Sequence, residues 1–149
     1  MNRFNYSIFF TCIILLFSSS CKKLDGLATP PDFDAGPHIF STAVKDTVLI
    51  SKNDQRWWFE RITVDGFEDY DLEKNNKLTC YRRDAKPSAD SPLGEVYKYE
   101  SVWFTVEKLD ERRIKISLKE NKEGVVRTFT FSASVGNANR KVTIVQNQK

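Results

Sequence analysis

The sequence predicts an all-β domain built as an antiparallel sandwich, and three observations carry that expectation. From Ser101 to Gln146, short turns divide the chain into runs that alternate apolar and polar residues, a period of two that belongs to strands and not to helices. The longest run, Val125–Val135, sets Val125, Phe129, Phe131, Ala133 and Val135 on one side and Val126, Thr128, Thr130, Ser132 and Ser134 on the other. No stretch carries helical spacing, and the roughly 110 residues that follow an N-terminal leader and linker suit one domain and no more.

Taken in order, residues 1–20 read as a targeting segment. Met1–Ser7 carries one charge, Arg3, and Ile8–Phe17 is a ten-residue apolar run, short of the roughly 20 residues that a membrane-spanning helix needs. Ser18-Ser19-Ser20-Cys21 resembles the lipobox of bacterial lipoproteins, with Ser18 where a leucine-like residue is usual. The resemblance implies cleavage before Cys21 and its lipidation; a plain secreted leader and an N-terminal membrane anchor are the alternatives. Two or more acyl chains hold a protein stably on a membrane, at about 0.8 kcal/mol per buried methylene; what the resemblance implies is a lipid-anchored place in the bacterial cell envelope, at the outer membrane, with the periplasmic and surface faces both open.

Leu24–Pro37 holds three prolines and two glycines with little apolar pattern, which predicts either an extended spacer or a loose tail. Residues 21–38 are thus expected to form the lipidated cysteine and its linker, and residues 39–149 the folded domain. Val44–Ile50 is the first strand, and Ser51–Asp54 its turn. Arg56–Val64 is the second, closed by Asp65-Gly66. Neighbouring strand residues face opposite ways, so one of Trp57 and Trp58 must look outward unless a bulge intervenes.

Phe67–Gly94 is the least regular part. Glu68, Asp69, Asp71 and Glu73 lack the spacing and central glycine of a calcium loop, so they read as a solvated acidic stretch and no metal is predicted. A short strand follows at Lys77–Arg83, then a turn-rich loop at Asp84–Gly94. Glu95–Lys108 reads as one long strand, and unbroken it puts Tyr97, Tyr99 and Trp103 together on the face away from the core. Leu109–Arg112 is a turn. Arg113–Lys119 alternates with Ile114, Ile116 and Leu118 inward, Glu120–Gly124 is a hairpin loop, and Gly136–Asn139 turns the chain into Lys141–Gln146. About seven short strands in a domain of this size describe an Ig-like sandwich.

Of three cysteines, Cys12 leaves with the leader and Cys21 takes the lipid, so Cys80 is alone and no internal disulfide forms. The one histidine, His38, falls in the predicted linker, which leaves Cys80 without a base and predicts a packed, inert thiol. Losing Arg3 lowers the formal charge from +3 to +2, and basic residues alternate with acidic ones; nucleic acid is not an expected partner. No serine, cysteine or metal-dependent catalytic motif and no phosphate loop is present, so neither an enzyme nor a cofactor is predicted.

The block Trp103-Phe104-Thr105-Val106, the run Arg113–Leu118 with Glu120-Asn121, then Gly124, Arg127, Gly136-Asn137 and Val142-Thr143-Ile144-Val145-Gln146 resembles a BACON domain, the Bacteroidetes-associated carbohydrate-binding module. The resemblance is dense after Trp103 and thin before Gln55. It implies an Ig-like sandwich in a Bacteroidota envelope protein, with glycan as the ligand class. Sugars stack their C–H faces on aromatic rings, so Trp57, Trp58, Tyr97, Tyr99 and Trp103 are the expected binding residues. Because Phe129 and Phe131 belong to the core, the ligand is expected upstream of the C-terminal strands. The alternative is a structural module that recruits an envelope protein through a strand edge or a loop.

Overall fold

The computed structural model describes residues 28–83 and 94–149. The leader, Cys21, the first part of the spacer and nearly all of the Asp84–Gly94 loop lie outside the described residues. Among the described residues, ten strands and one short helix follow in order: β1 (His38–Phe40), β2 (Lys45–Ile50), β3 (Trp58–Val64), β4 (Phe67–Glu68), α1 (Asp69–Lys74), β5 (Leu78–Arg82), β6 (Val96–Ser101), β7 (Phe104–Lys108), β8 (Arg113–Leu118), β9 (Arg127–Val135) and β10 (Ala138–Gln146). They form two five-stranded sheets, β1-β10-β9-β3-β4 and β2-β8-β7-β6-β5. Every pairing is antiparallel except β1 with β10.

The two sheets meet through the inward residues that the alternation marks. Phe129 and Phe131 of β9 and Ile114, Ile116 and Leu118 of β8 are buried. Phe129 stacks on Phe104 of the opposite sheet with ring centres 4.1 Å apart, and Phe59 meets Tyr99 edge-on at 5.3 Å. The Ig-like all-β sandwich expected from the sequence is therefore the fold, with ten strands where about seven were counted. The additional ones are short: β1 lies against the end of β10, and β4 folds back on β3 through Asp65-Gly66, both at positive φ (48° and 88°). Two consecutive left-handed residues suit a two-residue hairpin.

Four sequence expectations need correction. Glu95–Lys108 is not one strand but a hairpin: Tyr99 pairs with Val106 and Glu100 with Thr105. The bend at Val102-Trp103 contains neither Gly nor Pro, so local turn chemistry does not announce it. It is set by Trp103, whose buried indole sits 4.8 Å from Phe104 and 5.6 Å from Phe129 while Val102 turns out to solvent.

The acidic stretch after β4 is helical, because Leu72 buries itself while Asp69 and Asp71 occupy the first turn, where the helix dipole favours negative charge. Strand β9 starts at Arg127, so Val125 and Val126 are both exposed and Val125 does not join the core.

The spacer, finally, ends earlier than expected. Phe33 is 1% exposed and packs edge-on against Trp57 at 5.6 Å. Around it, Asn53 receives the Asp32 N–H (2.8 Å) and donates to the Pro30 carbonyl (3.0 Å), and the Thr143 N–H donates to the Ala35 carbonyl (3.0 Å). One aromatic residue in a proline-rich segment is enough to anchor it, and residues 30–37 belong to the domain.

Candidate functional site

The five aromatic residues singled out by the sequence do not form one platform. Trp57 is fully buried: its Nε1–H donates to the Glu111 carbonyl (2.9 Å), Phe33 and Phe59 press on its ring, and the Lys108 ammonium sits 4.6 Å above it. Tyr99 (2% exposed) and Trp103 (6% exposed) are core residues. Burial pushes the Tyr99 hydroxyl far above its ordinary pKa. Tyr97 is half-buried, with the Arg83 guanidinium 5.2 Å over its ring. Trp58 alone, at 41% exposed, offers an open indole, on the opposite sheet from Tyr97. The outward Trp expected of the pair is thus Trp58.

Trp58 stands beside a polar face that the strand register assembles from β3, β9 and β10. Across these strands Trp58 pairs with Ser134 and Ser134 with Asn139; Arg61 pairs with Ser132 and Ser132 with Lys141; Thr63 pairs with Thr130 and Thr130 with Thr143. Neighbouring strands lie about 4.8 Å apart, so each row is a short ladder of polar groups on the outside of the first sheet. A bulge between Phe59 and Arg61 turns both Glu60 and Arg61 outward, as an extra residue in one strand does.

Glu60 is fixed from below. The hydroxyls of Ser132 (3.0 Å) and Ser134 (2.5 Å), both on buried residues, donate to the same carboxylate oxygen, Oε2. These two bonds, Ser134 first, hold the carboxyl below the usual Glu range, with smaller help from Arg61 and Lys141. Arg61 is itself paired with Glu68 at 2.7 Å, and the Thr130 and Thr143 hydroxyls lie 3.0 Å apart. Between the rows runs an open groove of about 300 Å³ whose walls include Glu60, Thr63, Thr130 and Lys141. The arrangement presents one flat aromatic surface and a dense set of hydrogen-bonding groups, with no enclosed chamber.

Three other features bring polar or reactive groups together without leaving them free for a ligand. A larger groove, about 500 Å³, lies at one end of the sandwich between Ile50, Asp54 and the 110–113 turn, but Asp110 is bound by Arg113 (2.6 Å) and Arg112 by the Ser51 carbonyl. Buried Lys108 donates to the Trp57 carbonyl, to Glu95 (3.0 Å) and to Glu111 (3.1 Å); its three N–H donors are all engaged, and it holds the fold. Cys80 is half-buried, and burial followed by the hydrogen bond to Glu73 pushes its thiol far above the ordinary value, which keeps it protonated and unreactive. Among the family-like motif residues, Asn121 and Gln146 are likewise structural. Asn121 donates to the Val125 and Asn147 carbonyls (2.9 Å each), and Gln146 to the carbonyls of Lys119 (2.9 Å) and Thr42 (3.3 Å).

Fold and geometry together define an all-β sandwich with an aromatic-flanked polar face on its first sheet. No family model matches the chain, and no curated protein matches it. A solved structure is similar to it: the NMR structure of a protein from Bacteroides thetaiotaomicron, at a TM-score of 0.57 and 16% identity, covering 86% of this chain and 95% of that one. At that identity the likeness is one of fold.

Proposed function

We propose that this is a non-catalytic envelope lipoprotein, tethered through a lipidated Cys21 at the outer membrane, whose BACON-like domain binds glycans on the outer face of its first sheet. The observation that carries the proposal is Trp58: a large aromatic ring left 41% exposed in the cross-strand row Trp58–Ser134–Asn139, whose Asn139 lines a groove of hydroxyls, carboxylates and basic groups. A sugar ring has an apolar face to stack on an indole and hydroxyls at its edge to bond such groups. The test is affinity electrophoresis or calorimetry against a panel of polysaccharides. Trp58→Ala abolishes binding while Trp103→Ala, if it folds, leaves it intact; binding unchanged in Trp58→Ala refutes the proposal. For the tether, metabolic labelling with a fatty acid marks the wild type and not Cys21→Ala.

A second reading has its own observation. β2 is an edge strand of six residues, and Val48 and Ile50 on it are exposed together with Val44 just before it. Long apolar edges invite strand addition by a partner protein. Under this reading Val48→Lys abolishes recovery of one stoichiometric envelope partner in a pull-down and leaves any glycan binding unchanged.

A further inference from the structure

We infer that the groove beside Trp58 selects uncharged, hydroxyl-rich glycans and discriminates against acidic and cationic ones, with Glu60 and Lys141 as the specificity-determining pair. The inference rests on the glycan-binding reading above and adds the ligand's charge and the residues that choose it.

The groove carries four charged side chains, Glu60, Arg61, Glu68 and Lys141, and their formal charges cancel. They are not equally available. Arg61 and Glu68 pair with each other at 2.7 Å, while Glu60 and Lys141, opposite charges in the same groove, are in no ion pair among the described residues; Arg61, and after it Lys141, favours the ionised Glu60. A ligand with net negative charge placed to reach Lys141 meets Glu60, and a cationic one placed to reach Glu60 meets Lys141. The group that satisfies both is one that donates and accepts, and a hydroxyl does both.

Glu60 is prepared for that role. The Ser132 and Ser134 hydroxyls both bind Oε2, so the carboxylate is oriented without using Oε1, which is left to accept from a ligand hydroxyl. Thr63 and Thr130 on the groove floor donate or accept according to what lies on them, so they exclude no hydroxyl pattern. Trp58 two residues along the same strand supplies the apolar surface. Charge-assisted hydrogen bonds are about twice as strong as neutral ones, so the Glu60 and Lys141 contacts carry a disproportionate share of selectivity.

The experiment uses the whole protein, with Glu60→Gln and Lys141→Met as variants and thermal melting as the folding control, titrated with neutral, acidic and amino-bearing polysaccharides at low and high salt. The expected result is binding to a neutral polysaccharide, weakened about five- to tenfold by Glu60→Gln, which leaves a neutral bond, and about tenfold or more by Lys141→Met, which leaves none. Salt changes that affinity little, because no net charge is neutralised. The signs separate the alternatives. If the ligand is acidic, Glu60→Gln strengthens binding; if it is cationic, Lys141→Met does; either result overturns the inference and leaves the glycan-binding reading standing. Loss of binding in Trp58→Ala with both charge variants unchanged also overturns it. If no polysaccharide of any charge binds, the glycan-binding reading fails and the inference with it.

Discussion

Replacing Phe33 by alanine tests whether the proline-rich segment is tether or domain. Phe33 is 1% exposed and lies edge-on to Trp57 at 5.6 Å. Truncating a buried Phe costs about 3–5 kcal/mol in lost transfer energy and cavity, of which the aromatic pair accounts for about 0.5–1.5 kcal/mol. A domain of this size has a total stability of about 5–15 kcal/mol, so the variant loses roughly a fifth of it or more. With a urea slope of about 1–3 kcal/mol/M, the unfolding midpoint falls by roughly 1–5 M. Trp57, enclosed by Phe33 and Phe59, is the natural fluorescent reporter, and equilibrium urea unfolding of the chain from residue 22 onward is the assay. The matched control deletes residues 22–29 and leaves the midpoint where it was, because among the described residues the hydrogen bonds that hold this segment begin at the Pro30 carbonyl. A shift below about 0.3 M for Phe33→Ala, under a third of the smallest slope-converted expectation, places the domain boundary at residue 39 and refutes the packing argument.

Three further outcomes follow from the same structure. Trp103→Ala lowers stability by about 3–5 kcal/mol, since its indole fills the bend between Phe104 and Phe129; a well-folded variant that has lost only ligand affinity refutes its placement in the core. Lys108→Met orphans the buried carbonyl of Trp57, a penalty of about 1–3 kcal/mol, while Glu95 and Glu111, 32% and 42% exposed, regain water. The expected melting shift is a fall of about 5–15 °C, and a neutral or raised melting point shows that the ion cluster adds nothing.

Ser134→Ala moves the Glu60 carboxyl up toward its ordinary value, which a side-chain NMR titration reads directly. Because the fold holds that pKa below the unfolded value of about 4.3, the associated stability is fully present above it and is lost as pH falls through the folded value. The deficit of the variant is therefore present at neutral pH and shrinks in acid; a deficit that grows in acid contradicts the assignment.

The strands with a clean period of two were legible because burial decides the parity of every residue in them. Ile114, Ile116 and Leu118 are inward as read, and so are Phe129, Phe131, Val142 and Ile144. Periodicity failed where the chain turns without turn residues. From Glu95 to Lys108 the alternation continues through the bend, so the sequence alone cannot separate one strand of fourteen residues from a hairpin whose corner is held by a buried indole. The aromatic platform failed with it: Tyr97, Tyr99 and Trp103 share a face only on an unbroken strand, and in the hairpin Tyr99 and Trp103 serve the core. Phe33 was missed for a different reason. A lone aromatic among prolines has no periodicity to report it, and its worth depends on Trp57 and Phe59 waiting at the end of the sandwich.

Setting aside the C-terminal strands as a place for a ligand, on the ground that Phe129 and Phe131 are core, treats a strand as if it had one face. A period of two gives every strand of a sandwich an inner row and an outer one, and membership of the core says nothing about the second. The outer row of β9 is Thr128, Thr130, Ser132 and Ser134, which in the sequence alone is indistinguishable from a solvated sheet surface. What sets it apart is cross-strand register. Serine gains less than valine or threonine from a place in a central strand, yet at Ser132 and Ser134 the hydroxyls are turned to one oxygen of Glu60, brought over them by the bulge in β3. Trp58, Glu60 and Lys141 are 2 and 81 positions apart along the chain and become neighbours only once β3 lies antiparallel to β9 and β9 to β10. A candidate site of this kind is written in the pairing of strands, so the sequence exposes its residues one at a time and the fold alone brings them together.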